Sequence, residues 1–393
     1  MKNCANMALW TAISALVALT NQAFAAETTL NVILPLSGNA AFVGKGQQAV
    51  LRAIESKVNK EGGIDGSTLH FRFYDDQTSP QTAVQMLNEI LPSHPSVMLG
   101  SSITGMCNAT APLLKDGPVD YCLTPGVRPA PGSYVFASTI PTQSELIALI
   151  RYFRLNGWTR IAELSSTDAT GQDADLNVDA ALKLPENTDV KMIERLHFNP
   201  TDLSVTAQLE RVKGSDAQAL IAWTTGTQVA TIFRGMLQAG LDIPIGTSPG
   251  NQTFESFAQF SDFLPKHLIM PSAYYPEHDG IYTLDPRVEK TQHDMYRELA
   301  AENLRADNST ATAWDPALII ISALRHLGLA ARPEQIRNYI VNLTDFPGVD
   351  GLYNFKKSPQ RGLDDSDCVM TTYDPKSKRW VWLSAPSGEL LKH

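Results

Sequence analysis

The chain has 393 residues, 43% hydrophobic and 19% charged, the composition of a folded globular protein and neither of a disordered chain nor of a membrane bundle. A count of 32 Lys and Arg against 41 Asp and Glu gives a formal net charge of -9, which argues against a nucleic acid or an anionic membrane surface as partner. At roughly 150 residues per domain the length suggests two domains, each able to bury its own core.

The first residues carry Lys2, an apolar stretch from Met7 to Thr20 and the small-x-small triplet Ala23-Phe24-Ala25, the layout of an export signal over residues 1–25. That stretch is shorter than the roughly 20 residues of a membrane span, so an exported, periplasmic protein is expected. Cys4 would leave with the signal, without a lipid-anchor motif around it. Of Cys107, Cys122 and Cys368, an oxidising compartment permits one bridge, and Cys107 with Cys122 is the expected pair; three buried thiols is the other reading.

From Ala26 onward, short apolar runs alternate with helix-period stretches. Strands are expected over 30–36, 69–74, 97–99 and 119–123, with helices starting near Gly46, Pro80 and Thr104. After a Pro-rich segment over 125–131 the rhythm restarts, with strands over 160–164, 190–197, 219–223 and 243–246 and helices near Glu145, Gly171, Ser204 and Gln228. Alternating strand and helix predicts βαβ units, parallel sheets and right-handed crossovers, hence two similar α/β halves with a boundary near residue 140. A strand over 267–270 is followed by helical patterns over 287–303, 313–330 and 333–342. Antiparallel-looking strands over 352–355, 368–373 and 379–383 end the chain, the last two joined by the turn Asp374-Pro375-Lys376-Ser377.

Two motifs point to enzymes. Gly246-Thr247-Ser248-Pro249-Gly250 fits the G-x-S-x-G nucleophile elbow, but Pro249 lacks the N–H that the elbow uses as an oxyanion donor, so a plain strand-end loop competes with catalysis by Ser248. Gly44-Lys45-Gly46-Gln47-Gln48-Ala49 fits a dinucleotide fingerprint, but seven residues separate it from the preceding strand. The histidines show no ligand spacing, so neither a metal nor a cofactor is expected. Asp75-Asp76 closes a strand, where capping competes with an acid pair.

Two further stretches suit an anion. Gly100-Ser101-Ser102-Ile103-Thr104-Gly105 offers hydroxyls and N–H groups between a strand and a helix, and Thr124-Pro125-Gly126-Val127-Arg128-Pro129 holds an arginine fork on a stiff loop at the same sheet edge. The bland alternative is a simple helix cap and a solvated arginine.

Ile33-Leu34-Pro35-Leu36-Ser37-Gly38, Val58-Asn59-Lys60-Glu61-Gly62-Gly63-Ile64, Tyr74-Asp75-Asp76, Leu123-Thr124-Pro125-Gly126 and Met236-Leu237-Gln238-Ala239-Gly240-Leu241 together resemble the periplasmic leucine/isoleucine/valine-binding proteins, substrate-binding subunits of ABC importers. The resemblance implies a type I periplasmic-binding fold: two Rossmann-like lobes with parallel sheets, joined by three hinge crossovers near 139–141, 272–275 and 349–351. Residues 26–140 with 273–350 would form one lobe and 141–272 with 351–393 the other, with ligand held between them by hinge closure. Carried over by position, Thr104 is the hydroxyl that holds a ligand carboxylate, with Ser102 and Gly105 beside it, and Gly126 is a backbone contact. Arg128 stands where the family usually has threonine, Thr170 where it often has tyrosine, and Ser248 near its glutamate for an α-ammonium. Gaining Arg128 and losing that glutamate favours an aromatic or branched carboxylate without an α-amino group, walled by Phe42, Trp223 and Tyr274. An amino acid stays open, with Asp168 as the replacement acid. The implied partner is an inner-membrane ABC permease, and the protein itself a monomer. The other readings are a detached ligand-sensing subunit of a membrane receptor, or an exported hydrolase using Ser248.

Overall fold

The computed structural model describes residues 26–277 and 280–392, so the export-signal reading lies outside the described residues. Strand and helix alternate as β1 (Glu27–Leu34), α1 (Ala41–Lys60), β2 (Thr68–Asp75), α2 (Pro80–Ile90), β3 (Val97–Leu99), α3 (Thr104–Thr110), β4 (Val119–Cys122) and β5 (Val135–Ala137). These five strands pair parallel in the order β2-β1-β3-β4-β5. All four residues of β4 are buried, as expected of a parallel strand covered on both faces.

The chain then crosses into a second α/β unit: α4 (Thr142–Leu155), β6 (Arg160–Ser166), α5 (Ala169–Leu182), β7 (Lys191–Phe198), α6 (Thr206–Gly214), β8 (Ala219–Trp223), α7 (Gln228–Ala239), β9 (Ile245–Thr247), α8 (Phe254–Phe260) and β10 (Leu268–Ser272). It returns with α9 (Pro286–Ala301), α10 (Asn308–Leu327) and α11 (Pro333–Val341), where α9 and α10 pack on α1 and α11 on β4. A two-residue pair, β11 (Phe346–Pro347) with β12 (Leu352–Tyr353), follows. Finally β13 (Val369–Asp374) and β14 (Arg379–Trp382) extend the second sheet, which reads β14-β13-β10-β9-β8-β6-β7. β13 joins β10 antiparallel, so this sheet is mixed at one edge. One apolar cluster runs from the first lobe into α4 and α5, and a second fills the other face of the second sheet.

Three expectations change. Gly44 and Gly46 lie inside α1, which starts at Ala41; a Cβ on them would come within 2.2 Å of the Pro35 carbonyl and 2.1 Å of Ser309 Oγ. They are glycines because α1 presses on its neighbours, and they form no phosphate-binding turn. The strand expected over 352–355 shrinks to β12 and pairs with β11. Third, the segment after residue 351 does not pass directly to the second lobe. Phe355 N–H donates to Leu343 O at 3.0 Å, Ala137 N–H donates to Gln360 O at 3.0 Å, and the Phe136 and Phe355 rings lie 6.0 Å apart. Residues 352–361 therefore pack on β5 of the first lobe, and the third crossover falls between them and β13.

Candidate functional site

Strand ends β3 and β4 face strand ends β8 and β9 across the space between the lobes, the place where open α/β sheets hold ligands. The cleft encloses about 450 Å³, counting space open to solvent. The first lobe lines it with Ser102, Ile103 and Thr104 after β3, with residues 123–126 after β4, and with Val43 and Asn308. Opposite stand Thr170 and Asp173 of α5, Trp223, Thr225, Ser248 and Gly250, with Thr142 at the first crossover.

On the first-lobe wall the Thr104 and Thr124 hydroxyls are 3.4 Å apart, and a Cβ on Gly126 would lie 2.3 Å from Thr104 Oγ1. The loop after β4 can touch α3 this closely only because residue 126 has no side chain. Behind that wall Cys107 of α3 and Cys122 of β4 form a disulfide, while Cys368 is a free, buried thiol. The Ser102 hydroxyl donates to the side-chain carbonyl of buried Gln47, whose amide donates to Thr312 Oγ1 at 3.0 Å. On the second-lobe wall Ser248 Oγ sits 3.2 Å from Thr225 Oγ1 and accepts the Gly250 N–H at 3.3 Å. Neither partner is a general base, which leaves the hydrolase reading without a proton acceptor at Ser248.

Ser102, Thr104, Gly126, Thr170, Trp223 and Ser248 thus come together as cleft-lining residues. Other expected residues go elsewhere. Asp168 caps α5: its Oδ1 accepts the N–H groups of Thr170 and Gly171 at 3.1 and 3.2 Å and the Ser166 hydroxyl at 2.7 Å, so it is already committed. Tyr274 lies on the second crossover, stacked on Trp382 at 5.7 Å with its hydroxyl donating to Ser366 O, and does not wall the cleft. Phe42 is half-buried on α1, where its neighbour Val43 takes the cleft position. Gly105 meets the other lobe instead, its Cβ position 3.7 Å from the Ala169 Cβ.

Arg128 is not itself among the lining residues; its side chain is held by the lining acid Asp173. Its Nε donates to Asp173 Oδ1 at 2.9 Å and its Nη2 to Asn177 Oδ1 at 3.0 Å, forming an ion pair from the loop after β4 across to α5. Asn177 Nδ2 in turn donates to Asp173 Oδ2 at 3.2 Å. Burial pushes the Asp173 carboxyl up, and Arg128 opposes the shift. Asp173 is the cleft acid that the sequence reading missed. It lies three residues after Thr170 on one helix, so the two share a face, and that spacing was available as a signal.

A family model described as periplasmic binding protein matches residues 27–372. The Leu/Ile/Val-binding protein homolog 3 of Brucella melitensis is 28% identical over 108 residues, a match that spans 28% of this chain and 29% of that protein. An extracellular ligand-binding receptor from Rhodopseudomonas palustris HaA2 superposes with a TM-score of 0.80 at 16% identity, covering 91% of this chain and 100% of that one. The branched-chain amino acid transporter substrate binding protein LivJ from Streptococcus pneumoniae, solved with isoleucine, gives 0.74 at 16% identity, covering 93% and 98%. A fatty acid ABC transporter substrate-binding protein from Thermomonospora curvata gives 0.75 at 18% identity, covering 92% of each chain.

Proposed function

Because the chain belongs to the periplasmic binding protein family, we propose that it is an exported solute-binding subunit of an ABC importer, which closes its lobes on a small carboxylate and delivers it to an inner-membrane permease. The observation that carries this reading is a cleft whose walls come from two lobes joined by three crossovers, lined by hydroxyls and by a single acid. Hydroxyls and main-chain N–H groups suit a carboxylate, and Trp223 with Leu123, Ile103 and Val43 suits an apolar body. Isoleucine and a fatty acid, the cargoes stated for two structural neighbours, have a carboxylate in common. An α-ammonium would meet only Asp173 on the second wall, and that charge is already matched by Arg128. This favours an aromatic or branched carboxylate without an α-amino group.

The test is the melting temperature against amino acids, benzoates, phenylpropanoid acids and short branched acids. A ligand at a hundred times its dissociation constant adds about 2.7 kcal/mol, a shift of several degrees. Carboxylates alone raising the melting temperature is the expected result. A rise with leucine or isoleucine and none with the amine-free acids would overturn the ligand class and make Asp173 the ammonium partner.

A further inference from the structure

Arg361 follows β12 in the segment packed on β5, and it is only 6% exposed. Its guanidinium donates to four main-chain carbonyls: Nη1 to Ser138 O at 2.8 Å and Thr139 O at 3.3 Å, Nη2 to Pro125 O at 3.0 Å and Val127 O at 2.6 Å. A planar fork of five donors can hold such a set, and a lysine ammonium, a point charge with three donors, cannot. The buried carboxyl of Glu145 is close enough to act on the guanidinium electrostatically.

The direction of these bonds has a consequence at the cleft. Among the described residues the cis peptide bond is Gly117–Pro118, so the bonds entering Gly126 and Arg128 are trans. In a trans peptide the carbonyl and the following N–H point opposite ways. With the Pro125 and Val127 carbonyls turned onto Arg361, the N–H groups of Gly126 and Arg128 turn away from it, and Gly126 lines the cleft beside Thr104. We propose that Arg361 is a positioning residue for the ligand site: it holds two peptide planes so that the Gly126 and Arg128 N–H groups are presented to a ligand carboxylate. Its bonds to Ser138 and Thr139 also tie this loop to the first crossover. The inference rests on the carboxylate reading above.

The test uses the chain carrying Arg361→Lys or Arg361→Gln, with two readouts. The ligand-free readout is the ¹⁵N order parameter of Gly126, Val127 and Arg128, expected near about 0.85 in the wild type and below about 0.6 in the variants, with core strands unchanged. The second is affinity for 4-methylpentanoate and phenylacetate, expected to fall about tenfold or more, without rescue by lysine. Loop order parameters that stay at wild-type values, or an affinity within about twofold of wild type beside a lowered melting temperature, would overturn the proposal and leave Arg361 a structural residue only. Failure of the wild type to bind either acid would refute the carboxylate reading, and the order parameters would still decide whether Arg361 fixes the loop. Should neither variant fold, carboxylate binding to the wild type must move the Gly126 and Arg128 amide resonances; binding that leaves both in place overturns the proposal.

Discussion

Gly126 carries the tightest steric demand in the cleft. Its φ is not in the left-handed region, so alanine is conformationally allowed and the cost comes from contact: the added Cβ would lie 2.3 Å from Thr104 Oγ1 and 3.1 Å from its Cγ2. Gly126→Ala should therefore leave the secondary structure intact by circular dichroism while displacing Thr104, with carboxylate affinity falling about tenfold or more in calorimetry. Unchanged affinity would remove the Thr104–Gly126 contact from the site. A second residue-scale effect concerns Asp120 on β4, fully buried with Oδ1 unpartnered, whose carboxyl burial pushes up to about 7. The folded chain then keeps a proton that the unfolded chain has already released between about pH 4 and pH 7. In that window the folded state binds more protons, so stability falls as pH rises. Asp120 alone should contribute up to about 1.4 kcal/mol per pH unit, or about 2–4 °C in melting temperature. Burial raises Asp315 and Asp367 as well, so Asp120→Asn should flatten the slope between pH 5 and 7 without abolishing it. An identical slope in the variant would show that Asp120 is ionised in the fold. The placement of Thr104 and Gly126 in the cleft lining was legible in the sequence because motif and strand end coincide there. The pairing of Arg128 with Asp173 was not, since the two are 45 residues apart in the chain and meet only when the two lobes do.

Among the elements, α3 and β4 are the pair on which the site depends. Thr104 stands one turn before Cys107, and Cys122 immediately precedes residues 123–126 of the cleft, so the bridge closes the back of the wall these two segments form. The loop it closes spans a sequence separation of 15, for which the chain-entropy estimate is about 3 kcal/mol. Reduction, verified by thiol titration under mild denaturation, should lower the melting temperature by several degrees and weaken carboxylate binding. A reduced protein that melts and binds like the oxidised one would make the bridge incidental. The elements the sequence concealed have physical reasons. β5 has three residues, too few to show a period, and is placed by β4 on one side and by residue 360 on the other. The start of α10, Asn308-Ser309-Thr310-Ala311-Thr312, reads as a polar loop, yet these residues are buried. Asp307 caps them, Thr312 accepts from Gln47, and Ser309 nests against Gly46. Polar side chains that serve the interior hide the helix period, and only the apolar residues from Ala313 onward reveal it.

For the molecule as a whole, several contacts cross between the lobes, among them Arg305, which donates to Lys378 O and lies 3.6 Å from the centroid of the Phe254 ring. On one side Arg128 reaches Asp173 and Asn177; on the other, Asn308 N–H donates to Gln252 O at 3.0 Å and Phe254 N–H to Asp307 Oδ2 at 3.2 Å. The Arg128 side chain is 57% exposed, and an ion pair so solvated contributes about 1 kcal/mol at most, enough to bias the two states about fivefold and too little to lock them. On the importer reading proposed above, a bias of that size leaves release possible, because a ligand can shift the equilibrium only by its differential affinity for the two forms. Asp173→Asn removes the charge while keeping the shape and leaves Arg128 free to solvate. In small-angle scattering the ligand-free variant should show a larger radius of gyration than the wild type, and saturating carboxylate should bring the two together. An unchanged radius in the variant would mean that the remaining contacts between the lobes, at Arg305, Asn308 and Phe254, hold them together, and that the ion pair follows closure without driving it.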